Sequence, residues 1–109
     1  MMPHRRGQIY WGWLDKRRPL LVVSVNARNE RANDVIVVPC STNLREAITH
    51  VKLSRGEGGL PRDSVLKCEQ VSTLEKTKME QMPIGLPIRS GRMAEVERAI
   101  LRAIGIPVR

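Results

Sequence analysis

Phenylalanine is absent from this chain of 109 residues, and its aromatics amount to Tyr10, Trp11 and Trp13. With so few rings, a tryptophan is as easily a core or interface filler as a base-stacking surface. Long apolar runs are missing too. The longest, Leu20–Val23 and Val35–Val38, fall far short of the ~20 residues of a membrane span, so no membrane partner is expected. Met1 to Arg18 alternates apolar and polar residues, which predicts no signal peptide and a cytoplasmic location. Two cysteines, Cys40 and Cys68, stand 28 positions apart with no C-x-x-C and no neighbouring histidine. That spacing argues against zinc, the lack of a secretion signal argues against a disulfide, and both read as small buried hydrophobes. The two histidines, His4 and His50, are 46 positions apart, and no carboxylates cluster, so neither metal nor cofactor is expected. His4 reads as part of a loose tail, and nothing in the spacing supports a two-histidine ribonuclease.

Acidic charge is the other shortage. Nineteen Lys and Arg face eleven Asp and Glu, for a formal net charge of +8. Fourteen of the nineteen are Arg, and residues 1–55 alone carry +6. A guanidinium fork matches phosphate geometry, so this balance points to nucleic acid or an acidic protein partner. The half containing Arg17, Arg18, Arg28 and Arg31 is where such a partner is expected.

The length fits one domain over residues 1–109. Strand signals dominate its first two-thirds: Gln8–Leu14, Leu20–Val25 and Asp34–Cys40 are β-branched and aromatic runs separated by breakers. Arg17-Arg18-Pro19 ends the first connection, and Asn26–Asn33 reads as a polar second one. His50–Leu53 alternates, and Ser64–Leu74 reads as one or two further strands. Between them, Arg55-Gly56-Glu57-Gly58-Gly59-Leu60-Pro61 is glycine-rich but lacks the Gly-Lys-Ser/Thr and following helix of a phosphate loop. It is expected to be an ordinary β-connection. A short helical turn is expected over Lys76–Met82. After Ser90, a plausible N-cap, the period changes. Met93, Val96, Ile100, Leu101 and Ile104 then share one helical face, Arg92, Glu95, Arg98 and Arg102 the other, and Gly105 with Pro107 ends the helix. Short strands followed by one amphipathic helix predict a mainly β, compact antiparallel barrel.

Four stretches, in order, resemble the MazF/PemK family of toxin endoribonucleases. They are Arg6-Gly7-Gln8-Ile9-Tyr10-Trp11, Arg18-Pro19-Leu20-Leu21-Val22-Val23-Ser24, Val37-Val38-Pro39-Cys40-Ser41-Thr42-Asn43, and Gly58 to Val65 continuing through Glu69-Gln70-Val71-Ser72-Thr73-Leu74-Glu75-Lys76. The resemblance implies an SH3-like barrel with a C-terminal helix, forming a homodimer. It further implies cleavage of single-stranded RNA in a groove that an antitoxin's acidic tail can occlude. The same fold hosts CcdB-like gyrase poisons, so a non-catalytic inhibitor, or a barrel that binds RNA without cutting it, stays open as an alternative. Asp15-Lys16-Arg17 replaces a longer family loop, which bears on sequence preference more than on chemistry.

RNA supplies its own nucleophile, the 2′-hydroxyl. A metal-free nuclease needs a base near it, donors for the charge on phosphorus, and an acid for the leaving 5′-oxygen. Arg18, at a loop–strand junction, matches the family's functional Arg and can fork onto two phosphate oxygens. Ser41 and Thr42 follow an apolar run, where hydroxyls can hold a phosphate, although Ser-Thr-Asn after a strand is also an ordinary turn. Lys67 and Glu69, two apart on an expected strand, would share a face. The residues flanking this cysteine are acid and base in the Kid branch, and a solvated strand face explains the same pattern. Arg17, Arg28, Thr42 and Trp13 complete the expected RNA contacts, while Trp11 is expected in the core or an interface.

Overall fold

The computed structural model describes residues 3–108. Six strands and two helices follow in the order β1 (Ile9–Trp13), β2 (Arg17–Val22), α1 (Asn26–Arg31), β3 (Asp34–Ser41), β4 (His50–Leu53), β5 (Ser64–Lys67), β6 (Ser72–Glu75) and α2 (Ser90–Ala103). All pairings are antiparallel. β3 is central: β2 bonds to one of its edges, while β6 and then β5 share the other. A 3₁₀ turn over Cys68–Gln70 separates β5 from β6. Across it the register on β3 steps by three residues, the length of the turn.

The apolar runs noted in the sequence lie in strands buried on both faces. Ile9, Leu21, Val38 and Cys40 belong to one cluster with Val96 and Ala99 of α2. Their neighbours Tyr10, Leu20, Val22 and Val37 belong to a second cluster with Leu74 and Met79. Each such side chain contributes roughly 1.5–3 kcal/mol when fully buried. Helix α2 starts at Ser90 with Arg89 as its cap residue and no side-chain capping bond, so Ser90 is not the cap. It ends as its sequence suggests: Gly105 takes φ +81, its N–H bonds Arg102 O at 3.1 Å, and the N–H of Ile106 bonds Leu101 O at 2.9 Å.

Two features depart from expectation. The mainly β class with a terminal helix holds, but no ladder joins β1 to β4 among the described residues, so the barrel is an open, bent sheet. Its β1 edge is covered instead by an irregular segment. The N–H groups of Glu80, Ile84 and Ile88 bond the carbonyls of Trp11, Ile9 and Gly7 at 2.8, 2.8 and 2.9 Å, which blunts the edge. Second, residues 26–31 are helical rather than an irregular connection. Their sequence has no apolar period to announce it. The helix is anchored by buried Asn29, whose amide donates to Ser24 O at 2.9 Å and whose Oδ1 accepts from Ser24 Oγ at 2.5 Å.

The glycine-rich connection is a packing device, as the lack of a phosphate-loop pattern suggests. Gly59 sits at φ +85, and a Cβ there would stand 2.7 Å from the Gly85 backbone. Gly59→Ala is expected to lower the unfolding free energy by roughly 2–4 kcal/mol in urea melts. Gly91→Ala, in α2 with open space around it, should be neutral or stabilising by up to about 1 kcal/mol. Equal midpoints for the two variants would remove the close approach as a constraint.

Candidate active site

Alternation along paired strands puts Arg18 of β2, Ser41 of β3, Lys67 of β5, and His50 and Lys52 of β4 on one side of the sheet. The β2–β3 ladder stops at Leu20 opposite Pro39, and Arg18 and Ser41 each lie two residues beyond it, at the same end. Toward β4 the strap of residues 43–48 covers this side. A groove of about 470 Å³ opens there, lined by Leu44, Arg45, Ile48, His50, Lys52 and Val65.

Arg18 is the second residue of β2, opposite Gly12 of β1. Its side chain is only 15% exposed, and one terminal nitrogen donates to Asp15 at 3.0 Å. Its Nε is buried without a partner. A buried unpartnered donor is costly in a resting fold; what an anion can reach is the small exposed part of the guanidinium, one of whose terminal nitrogens is bonded to Asp15. Ser41 Oγ accepts the Asn43 N–H at 3.1 Å, which fixes the strand-end turn and leaves the hydroxyl proton free to donate. Thr42 is exposed beside Arg55 and Arg62. Sequence reasoning passed over both arginines, because the glycine-rich loop gave no reason to place them near β3.

Lys67 and Glu69 are not two residues of one strand. β5 ends at Lys67, and Glu69 lies in the 3₁₀ turn, so strand alternation does not put them on a shared face. Glu69 is gripped from β4 instead. Its Oε1 accepts from Thr49 Oγ1 at 3.0 Å, and its Oε2 lies 3.2 Å from His50 Nε2. Burial pushes the carboxyl up. Its own backbone N–H, then His50 and Thr49, bond the ionised form and outweigh that, so it sits below the ordinary glutamate value. Those bonds therefore stabilise the fold above the ordinary value, and are lost only as pH falls through the lowered one. His50 was overlooked because its only sequence signal was distance from the other histidine.

The remaining expectations divide. Trp13 is 56% exposed on β1 and available for stacking. Arg17 lies 4.3 Å over the ring of half-buried Trp11 and pairs with Glu80 at 2.7 Å, so its charge is partly committed. Arg28 does not join the site. It bonds Asp34 Oδ1 at 2.5 Å and the Asp34 carbonyl at 3.1 Å, at the far end of β3 from Ser41. At ~3.3 Å per residue, Asp34 and Ser41 stand about 23 Å apart along β3. His4 is no loose tail. It is buried, with Nε2 2.9 Å from Glu80 O and its ring edge-on to Tyr10 at 4.7 Å, and desolvation pushes its pKa down. Among the described residues, no three His, Cys, Asp or Glu side chains converge as a metal site would require.

Known proteins resemble this chain along nearly all of it. A family model described as the PemK-like, MazF-like toxin of type II toxin–antitoxin systems matches residues 5–104. The chain is 29% identical over 106 residues to the probable endoribonuclease MazF5 of Mycobacterium tuberculosis, covering 94% of this chain and 91% of that one. It is 28% identical over 112 residues to the endoribonuclease MazF of Staphylococcus saprophyticus, covering 94% and 92%. Among solved structures, a mycobacterial endoribonuclease in complex with its cognate antitoxin superposes with a TM-score of 0.84 at 28% identity, covering 97% and 99%. The Mycobacterium tuberculosis toxin MazF-mt6 gives a TM-score of 0.84 at 25% identity, covering 93% and 99%.

The cysteines lie behind the site, facing the core. Both are free and buried, and burial pushes each thiol up to about 12, with the neighbouring Glu69 adding to the effect at Cys68. Since the thiolate is the reactive form, neither should react with a thiol-exchange reagent near pH 8 in the native protein. Both should react at once in denaturant. A stoichiometric fast phase in the native protein would contradict this burial.

Proposed function

The chain belongs to the PemK-like, MazF-like toxins of type II toxin–antitoxin systems, and from that premise we propose that it is an endoribonuclease cutting single-stranded RNA without metal or cofactor. The observation that carries the proposal is that Arg18 and Ser41 lie at one end of adjacent strands, the guanidinium making one side-chain bond and the Ser41 hydroxyl proton being uncommitted. A phosphodiester set between them receives the guanidinium fork on its non-bridging oxygens and the Ser41 hydroxyl beside it. The 2′-hydroxyl attacks phosphorus, the bond to the 5′-oxygen breaks, and the products are a 2′,3′-cyclic phosphate and a 5′-hydroxyl. Lys67 and Glu69 serve the proton transfers, from two different elements. Thr42, Arg17 and exposed Trp13 extend the contact along the strand, with base stacking on Trp13 worth ~1–3 kcal/mol.

The toxin acts in the cytoplasm as a homodimer. Its partner is an antitoxin whose acidic tail competes with RNA for the same cationic surface. A structural relative was solved with its cognate antitoxin, and the +8 charge of this chain suits such a partner. No helix among the described residues is long and apolar enough to cross a membrane.

Purified protein should cleave single-stranded RNA in EDTA. Arg18→Ala should abolish cleavage while circular dichroism and oligomeric state stay unchanged, and Arg18→Lys should remain poor because an ammonium lacks the fork. Full activity in folded Arg18→Ala protein, or activity restored only by a divalent metal, would overturn the proposal. Glu69→Gln should slow cleavage by ~10²–10⁴ with RNA affinity held or improved. A loss of two- or three-fold would place Glu69 outside the chemistry.

A further inference from the structure

His50 takes no part in the scheme so far, yet it is the most constrained polar side chain near Glu69. Its own side chain is 8% exposed, against 39% for Glu69. Nδ1 lies 2.7 Å from the carbonyl of Arg45, and Nε2 lies 3.2 Å from Glu69 Oε2. A carbonyl only accepts, so Nδ1 carries a hydrogen and the neutral ring would turn a bare lone pair from Nε2 toward the carboxylate. Two acceptors do not bond. A hydrogen bond between Nε2 and Oε2 therefore requires a proton of its own, on the ring or on the carboxyl.

We propose that His50 is the positioning residue of the cleavage site, keeping a transferable proton on the His50–Glu69 pair that Glu69 delivers to the leaving 5′-oxygen. The proposal rests on the endoribonuclease reading above. Both ring nitrogens of His50 are engaged, so it acts through Glu69, which is half-exposed and held on its other oxygen by Thr49. A proton that starts on Nε2 passes first to Glu69; as the phosphorus–oxygen bond breaks, the 5′-oxygen takes that one proton from Glu69, leaving a neutral ring and an ionised carboxylate. The proton of the 2′-hydroxyl leaves to solvent, and solvent recharges the pair, so the balance closes.

The surroundings are cationic. Lys67 stands opposite His50 on β5, and Lys52 lies two residues along β4. Arg45 and Glu46 come from the strap. From α2, Arg92, Arg98 and Arg102 face the same end of β4 together with Glu95, and Arg92 is held by Glu57 and Glu95. Among the described residues Glu69 is thus the carboxylate paired with the imidazole, and the cations around the pair favour release of its proton to an oxygen bearing negative charge.

The test is single-turnover cleavage of a short single-stranded RNA oligonucleotide from about pH 5 to pH 9, with His50→Gln, Glu69→Gln and the double variant. His50→Gln retains a donor but holds no titrating proton. It should bind RNA as the parent does, cut at least about tenfold more slowly, and lack the alkaline fall in rate that the proposal expects of the parent. The double variant should be no slower than the slower single one. Parental rate and pH profile in His50→Gln would reduce His50 to a packing residue. Nitrogen-15 spectra of the ring in the cleavage-deficient Arg18→Ala protein decide the matter if His50→Gln does not fold. Hydrogens on both ring nitrogens, with the Nε2 hydrogen lost on adding Glu69→Gln, or a bare Nε2 beside a Glu69 carboxyl that carbon-13 spectra show protonated, support the pair; a bare Nε2 beside an ionised Glu69 overturns it. If the parent cuts no RNA, the endoribonuclease reading fails, while the spectra still report whether the pair holds its proton.

Discussion

β3 carries backbone donors and acceptors on two edges, and the burial of Val35, Val37, Val38 and Cys40 keeps water from them. Each group left unpaired there would cost ~1–3 kcal/mol. β2 satisfies one edge, and β6 and β5 satisfy the other in series, with the Cys68–Gln70 turn absorbing the step in register. The rest of the arrangement depends on this. The same strand carries Val37 into one apolar cluster, Cys40 into the other, and Ser41 to the rim where Arg18 stands. Position along β3 also sorts the arginines, since Arg18 lies toward its Ser41 end and Arg28 is locked to Asp34 at its start.

Charge on the chain is not charge on the site. Much of the cationic surplus is committed: Arg17 to Glu80, Arg28 to Asp34, Arg92 to Glu57 and Glu95, and Arg6 to Glu97. Exposed pairs of this kind are worth at most about 1 kcal/mol each, yet they fix where guanidiniums point. Arg18 differs because burial and a single terminal bond leave part of its fork unused. Electrostatic catalysis needs donors fixed before charge develops, and a half-buried arginine beside a strand-end hydroxyl meets that need better than a flexible surface one.

Polar residues inside this fold do two different jobs. His4 and Asn29 point inward, stapling the segment near residue 80 and helix α1 to the sheet, Asn29 through both amide atoms and His4 through Nε2 alone, its Nδ1 being buried without a partner. Glu69 and His50 bond each other across two elements, and Glu69 still faces outward. Burial and hydrogen bonding act oppositely on the Glu69 carboxyl, and the bonds win because three donors converge on a partly wetted group. The geometry suits a group that must stay ionisable while being held still.

By itself the sequence determined the mainly β class, the five strand regions, the terminal helix and its glycine stop, the burial of both cysteines, and the family. Those are local or ordered properties: β-branched runs, a change of period at Ser90, and motifs in fixed succession. It also pointed to Arg18 and Ser41, whose motif positions survive folding. Only the tertiary structure decided that residues 26–31 are helical, that the sheet stays open, that Arg28 and His4 serve the scaffold, and that Glu69 belongs with His50 rather than on a strand face with Lys67. A pair 19 positions apart leaves no mark in local period or propensity. Its contact exists because β4 and β5 are hydrogen-bonded in one register, and backbone satisfaction across the whole sheet sets that register.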